Sequence, residues 1–379
     1  QHSCFQPSLS NLMSESIRNL SAVLVGPQDI RVLSGDVPRM SPHDVIIRMQ
    51  RVGICGSDVH YYLHGQCGPF KCNGPMTIGH ESSGVVERVG SCVHHLKQGD
   101  RVAIEPGIPC RSCSYCLQGR YNLCPDIKFF ATPPTDGSLA LYVSHPADFC
   151  YLLPDNLTLD EGALCEPLSV GVHACNRAGV KFGSNVLVLG CGPIGLVTIM
   201  VAKAYGASRI VATDILEHRL AMARECGATD VISLIDKSDD QSAVSGNFKP
   251  NEVVYSEISG AFANKHPEVS IDCTGFENSI QTALDCTAAG GTVCVVGMSQ
   301  STVSVPLISA AAREIDIVGV FRYANTYRTC IQLLSSGAVD VKKLITHRFG
   351  FSNEDITAGF EMARSGEAVK VMFSLPDRV

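Results

Sequence analysis

The feature that most limits what this chain can fold into lies at its centre. Asn185–Leu189 (NVLVL) is an unbroken apolar run, followed at once by Gly190-Cys191-Gly192-Pro193-Ile194-Gly195 and a helical pattern over 193–205. An apolar run without alternation is what a strand covered on both faces shows. Gly190 permits a tight turn, Gly192 lets backbone approach a pyrophosphate, and Gly195 lets helix and strand pack closely. The helix start offers free N–H groups and a positive dipole to phosphate. Asp214 closes the next apolar run, Arg209–Asp214. A carboxylate there accepts from both ribose hydroxyls and repels a 2′-phosphate, which favours NAD over NADP. Arg219, five residues on, is the residue type that holds a 2′-phosphate, so it stands against that preference. A glycine turn that only packs a helix is the alternative; strand, turn, helix and acid in sequence favour the nucleotide.

Around this centre the chain divides. Through about residue 165 it reads as β-rich, with short apolar runs such as 44–49 (DVIIRM) and 84–89 (GVVERV) bounded by turn residues. Beyond residue 161 strands and helices alternate: helix Glu217–Cys226 closed by Gly227, then strands at Val269–Asp272, 292–296 and 315–320. The expectation is an α/β chain, with a β-rich domain beside a doubly wound parallel sheet. Residues 233–267 are polar and read as helix fragments and loops. A last helix is expected near 326–335 and a final strand at 370–375. At 379 residues two to three domains are expected. The net charge of −7 argues against a nucleic-acid partner. The longest apolar stretch, 186–202, is short for a membrane span and is interrupted by Gly190, Gly192, Pro193 and Gly195. Residues 1–12 show no signal-peptide pattern and read as a disordered extension ahead of Met13.

Eighteen cysteines are too sparse for a disulfide scaffold in a chain this long. They read as small core residues and metal ligands in a reducing, cytoplasmic setting. Cys110, Cys113, Cys116 and Cys124 lie in a polar, turn-rich stretch with little to bury. Four thiolates fit a tetrahedral zinc with no open position, hence a structural site whose loss weakens stability or assembly more than chemistry. A second candidate is Cys55 with His80 and Glu81: thiol, imidazole and carboxylate in glycine-rich turns, the ligand set of a catalytic zinc with a fourth position for water or substrate. Each of these residues alone is more often structural.

These motifs carry a resemblance. Gly79-His80-Glu81 with Gly84 and Gly90, 53–62 (GICGSDVHYY), 131–134 (ATPP), 166–173 (EPLSVGVH) and 313–316 (REID) resemble the zinc-containing medium-chain dehydrogenase/reductase superfamily. Within it they are similar to the sorbitol dehydrogenase and ketose reductase branch, over about residues 19–375. The resemblance implies a GroES-like catalytic domain formed by 1–166 and 321–379, interrupted by a Rossmann domain at 167–320. It implies Glu166 beside the catalytic zinc, holding a water or ligating the metal. Tyr61, Phe129, Thr132, Arg322 and Tyr323 would line a polyol site. Pro193, Ile194, Asp214, Arg219, Val296, Gly297, Met298, Val320, Phe321 and Arg322 would contact NAD. A homotetramer is implied too.

The implied reaction is reversible oxidation of a polyol's secondary alcohol to a ketose. Ser57 and His60 form one candidate proton route and a water on Glu166 the other; Ser57 and His60 could equally do no more than orient their loop. A xylitol or L-arabinitol preference is one alternative. A cofactor-binding protein without turnover is another, disfavoured by the intact Cys55, His80, Glu81 and Glu166 set. The loop 65–75 departs from its relatives at Gln66, Cys67 and Cys72, beside the expected substrate pocket. His94 and His95 read as a solvated turn, and His173 as packing at a helix start.

Overall fold

The computed structural model describes residues 18–236 and 247–377. The extension expected at 1–12 lies outside them, as does part of the polar stretch within 233–267. Two sheets organise the chain. The first is antiparallel over most of its width, with Asp44–Gly53 near its centre. On one side that strand pairs with Glu81–Val89, which is followed by Arg101–Ile104 and Cys150–Leu152. On the other it pairs with Lys370–Ser374, next to Ile345–Phe349; Tyr142–Pro146 also pairs with it. The last strand of the chain is therefore interior to a sheet begun near residue 44.

The second sheet is parallel. In spatial order it runs Asp230–Ser233, Arg209–Asp214, Asn185–Leu189, Val269–Asp272, Thr292–Val295 and Asp316–Gly319. Numbered along the chain the order is 3-2-1-4-5-6, the doubly wound arrangement. Its reversal point lies beside Asn185–Leu189, where the glycine turn emerges. Gly190 adopts φ +91°. A Cβ on Gly195 would stand 1.8 Å from the Gly190 carbonyl oxygen, whereas one on Gly192 would meet nothing. The three glycines thus divide their work as expected: turn, open approach, close packing.

Helix Leu159–Ala178 joins the two halves. A capping box of Thr158 and Glu161 starts it, and Gly179 in the left-handed region ends it. Near its start, Gly162 packs on Ser83 and Leu153 of the antiparallel half. Further on, Gly171 lies against the backbone of Val197 and Thr198 in helix Pro193–Ala204. One apolar core runs across the junction, from Ala103 and Leu164 through Leu168 and Val172 to Val188 and Val201. The division expected between residues 166 and 167 falls inside this helix, so the two domains share a rigid element.

Three details differ from expectation. His173 stands well inside Leu159–Ala178, not at a helix start; the Glu-Pro-Leu motif hid the seven helical residues that precede it. The helix Tyr327–Ser335 is not the last, because Asn353–Ser365 follows, opened by a Ser352–Asp355 capping box. Among the described residues of the polar region stands a continuous helix, Asn251–Ala261, with Val254 and Ile258 buried. None of the described helices is long and apolar enough to cross a membrane. We expect Gly195→Ala to cost roughly 1–3 kcal/mol of stability through overpacking and to weaken NAD binding, while Gly192→Ala leaves the melting temperature near that of the unaltered chain. Calorimetry and cofactor titration of both variants check this.

Candidate active site and metal centres

Strands Asp44–Gly53 and Glu81–Val89 pair with Gly53 opposite Glu81. That register brings the turn after the first strand against the turn before the second. The ligand atoms of Cys55, His80 and Glu81 consequently lie within 4.8 Å of one another. Gly53 leaves the room: a Cβ there would stand 2.3 Å from Glu81 Oε2. Cys55 is the N-cap of helix Gly56–His64, and the Asp58 carboxylate accepts from its amide at 3.0 Å. Asp58, 1% exposed, also lies 3.4 Å from His80 Nδ1, close enough to orient the ring though without hydrogen-bond geometry. Burial pulls the His80 pKa down, but Asp58 and Cys55 outweigh it and hold the imidazole well above its ordinary value.

Glu81 is gripped from the far end of the chain. Lys370 Nζ donates to its two oxygens at 2.6 and 2.7 Å and to the Ile54 carbonyl at 2.9 Å. Both side chains are almost fully buried. Glu166, inside helix Leu159–Ala178, is buried as well, and its Oε1 accepts from the Tyr323 hydroxyl at 2.8 Å. Burial is the main cause of a Glu166 carboxyl pushed up to about 7; the Glu81 charge adds to it, and His80, Tyr323 and Lys370 oppose it.

Glu81, Glu166 and the Cys55 thiol stand around the buried Lys370 ammonium, and Asp58 lies against His80, so the acidic groups here outnumber the two basic ones. Unbalanced buried charge is costly. A divalent cation beside Cys55, His80 and Glu81 offsets it, and this S, N, O donor set suits zinc.

The residues expected to contact substrate gather at the same place. The Arg322 guanidinium stacks 3.9 Å from the Phe129 ring centroid, and its Nη2 donates to Thr132 Oγ1 at 3.2 Å. The Phe129 and His80 rings are 5.8 Å apart. Tyr61 is buried nearby, its hydroxyl pKa raised by burial and then by Cys67 and Cys72. The departing loop forms the small hairpin of Gln66–Cys67 and Phe70–Lys71, with the Arg322 guanidinium over the Phe70 ring at 5.9 Å. Ser57 is half-buried and His60 exposed, three residues apart on one face of helix Gly56–His64. His95 is exposed and reaches the Ala147 carbonyl at 3.0 Å.

On the nucleotide side, Asp214 is buried at the end of its strand. Its oxygens accept from the amides of Cys191, Ile215 and Leu216 at 2.7 to 2.9 Å, so the carboxylate is fixed against the glycine turn. Pro193 and Ile194 open the helix after it. Gly297, between Val296 and Met298, has no space for a Cβ, which would stand 2.1 Å from Gly275 N. Val320 is buried, Phe321 half-buried and Met298 exposed. Arg219 reaches the C-terminal segment, with Nη2 3.4 Å from the Gly366 carbonyl and a buried Nε without a partner among the described residues.

The second cluster is equally compact. All four ligand atoms of Cys110, Cys113, Cys116 and Cys124 lie within 4.8 Å. Sγ of Cys116 is 3.9 Å from that of Cys110 and 3.5 Å from that of Cys113. Tetrahedral zinc with ~2.3 Å Zn–S bonds needs sulfurs ~3.8 Å apart. Backbone N–H groups of Ser112 and Cys113 draw the Cys110 thiol down to about 6. The seventeen described cysteines are all free.

Two parts of this machinery escaped the sequence. Asp58 is signalled only weakly, as the fourth residue of a Cys-Gly-Ser-Asp capping box. Lys370 has no local signal at all, being one cation in an apolar strand 289 residues from Glu81.

Comparison with known proteins agrees with this geometry. Residues 41–155 match the family model of the alcohol dehydrogenase GroES-like domain, and 193–336 that of zinc-binding dehydrogenases. The chain belongs to the zinc-containing medium-chain dehydrogenase family. Within it, the chain is 51% identical to a sorbitol dehydrogenase of Arabidopsis thaliana, over 94% of this chain and 95% of that one. It is 50% identical, over the same shares, to an L-idonate 5-dehydrogenase of Vitis vinifera. An Escherichia coli oxidoreductase of unknown specificity superposes with a TM-score of 0.87 at 36% identity, covering 95% of this chain and all of the other. The chain is a zinc- and NAD-dependent dehydrogenase of the sorbitol dehydrogenase branch, which sets aside a cofactor-binding role without turnover.

Because Lys370 is the ion-pair partner of the buried Glu81, Lys370→Met should destabilise the metal-free chain by about 3–5 kcal/mol. Urea unfolding after chelation measures it.

Proposed function

We propose that the chain catalyses the reversible oxidation of a polyol secondary alcohol to a ketose, of the sorbitol-to-fructose type. The observation that carries this reading is Glu166: a buried carboxylate, not a thiol, set beside Cys55, His80 and Glu81 and hydrogen-bonded to Tyr323. Bound zinc at this site supplies Lewis acidity toward the alcohol oxygen, and bound NAD supplies the hydride acceptor. Cys55, His80 and Glu81 are the residues that hold the metal. Asp58 orients His80, and Lys370 fixes Glu81. Arg322, Thr132, Tyr323 and Tyr61 orient the remaining hydroxyls, with the Phe129 ring keeping water from the reacting end.

Glu166 takes the alcohol's proton at its free oxygen, since Tyr323 occupies the other. With its carboxyl raised to about 7, it is neutral below that pH and a base above it. Ser57 and His60 lie on the outward face of the cap helix and offer the second route to solvent. Asp214 holds the ribose hydroxyls, and the turn Gly190 to Gly195 holds the pyrophosphate. Val296, Gly297, Met298, Val320 and Phe321 border the nicotinamide. Cys110, Cys113, Cys116 and Cys124 hold a second zinc, structural in role. The GroES-like part comprises the N-terminal segment with 321–379, around a Rossmann part at 167–320.

Self-association as a homotetramer fits the apolar groups left uncovered around the edge strand Asp316–Gly319: Leu307, Ile308 and Ile317 are 55%, 82% and 45% exposed. Five thiolate ligands fit a reducing, cytoplasmic setting.

NADH formation with sorbitol, xylitol, L-arabinitol and L-idonate, with and without a chelator, tests the reading. Chelator-sensitive turnover of at least one polyol is expected, and its absence for all overturns the proposal. For Glu166→Gln we expect kcat to fall ~10²–10⁴-fold, with zinc still bound. In the unaltered enzyme kcat/KM should rise through about pH 7 as deprotonation of Glu166 creates the base, and in the variant that rise should vanish. Turnover that keeps that rise removes Glu166 from its assigned role.

A further inference from the structure

The four-cysteine lobe touches more than itself. The segment carrying Arg322 and Tyr323 runs from Phe321 to Asn325 without regular secondary structure. Two of its residues, Arg322 at φ +53° and Asn325 at φ +59°, lie in the left-handed region, where the Cβ of Arg322 crowds the following carbonyl oxygen. Such backbone persists only where its surroundings hold it. Here the lobe does so at both ends. Asn122 Nδ2 donates to the Phe321 carbonyl at 2.9 Å. The Asn325 amide donates to the Tyr121 hydroxyl oxygen at 2.7 Å, and Asn325 Nδ2 donates to the Gly119 carbonyl at 2.7 Å.

The grip has a buried anchor that the reaction does not use. Since the Asn325 amide can only donate, the Tyr121 hydroxyl accepts from it and directs its own proton to Glu105 Oε1, 2.6 Å away. Glu105 is 1% exposed, and its other oxygen accepts from the Tyr151 hydroxyl at 2.8 Å. The Tyr151 ring stacks on Tyr327 at 5.1 Å, and Tyr327 lies 5.8 Å from the ring of Tyr323. One buried carboxylate thus braces the segment along two paths, through Tyr121 to its end and through Tyr151 and Tyr327 to its middle.

We propose that the four-cysteine lobe sets polyol recognition, with Tyr121 and Asn122 as positioning residues that hold Arg322 and Tyr323 in place and Glu105 as their anchor. The proposal rests on the polyol reading above. Neither Tyr121 nor Asn122 touches the reacting atoms. Their effect should therefore fall on hydroxyls recognised away from the reacting carbon and spare the hydride step. A stability role alone predicts no such selectivity.

The test uses the full-length, zinc-loaded enzyme and compares kcat/KM for sorbitol with that for butane-2,3-diol, which lacks the distal hydroxyls. Asn122→Ala and Tyr121→Phe should each lower the sorbitol-to-butanediol ratio about tenfold, the scale of one lost hydrogen bond. Zinc per chain should stay unchanged. Asn122→Asp, of equal size but unable to donate to the Phe321 carbonyl, should behave as Asn122→Ala does. Gln118→Ala, on the exposed surface of the same lobe, should leave the ratio as it was. A ratio unchanged in Asn122→Ala and Asn122→Asp, or losses equal on both alcohols that track release of zinc, overturns the proposal. Failure of the unaltered chain to oxidise sorbitol or any other polyol would instead overturn the polyol reading beneath it.

Discussion

The site depends on one buried ion pair. Glu81 and Lys370 are withdrawn from water together, and neither could stay charged at that depth without the other. The pair fixes the turn bearing His80 against the strand that follows Gly366. It also leaves the surrounding carboxylates short of positive charge, which is the condition a zinc site needs. The metal-ligand turn is thereby tied to the last strand, and the Glu81 charge adds to the burial that raises the Glu166 carboxyl.

The helix Leu159–Ala178 extends this logic across the cleft. Its middle supplies Glu166 to the metal side, and its later turns pack on the helix that starts at the glycine turn. Metal and nucleotide sites are thus indexed to one rigid rod. Hydride transfer depends on the distance between a reacting carbon and a nicotinamide, and a shared rod fixes that distance better than two domains joined by a loop.

What the sequence disclosed was whatever is written in neighbouring residues. The glycine turn, the four cysteines, and the turns holding Cys55 and His80 each pack their chemistry into a short window, and all four stand where those windows implied. The parallel sheet was legible because its first strand is an apolar run and short, mostly apolar strands then alternate with helices. Lys370 was not, because nothing near it announces a partner 289 residues away. Helix Asn353–Ser365 was missed because its buried face is narrow, resting on Ile356, Gly359 and Phe360. Tyr121 and Asn122 look like ordinary turn residues between two cysteines; only the approach of 321–325 gives them work.

The interior place of Lys370–Ser374 has a bearing on how the protein is made. Strand Asp44–Gly53 leaves the ribosome long before its neighbour exists. At ~5–20 residues per second, the interval between Glu81 and Lys370 is ~15–60 s. Throughout that time the nascent antiparallel sheet has an open edge, and Glu81 has no counter-ion to let it sink into the core. The parallel-sheet half, whose six strands are contiguous in the chain, can close first. The metal turn is then completed by the late strand Lys370–Ser374, so a chain interrupted before Lys370 has every strand of its cofactor domain but lacks the cation that draws Glu81 into the core.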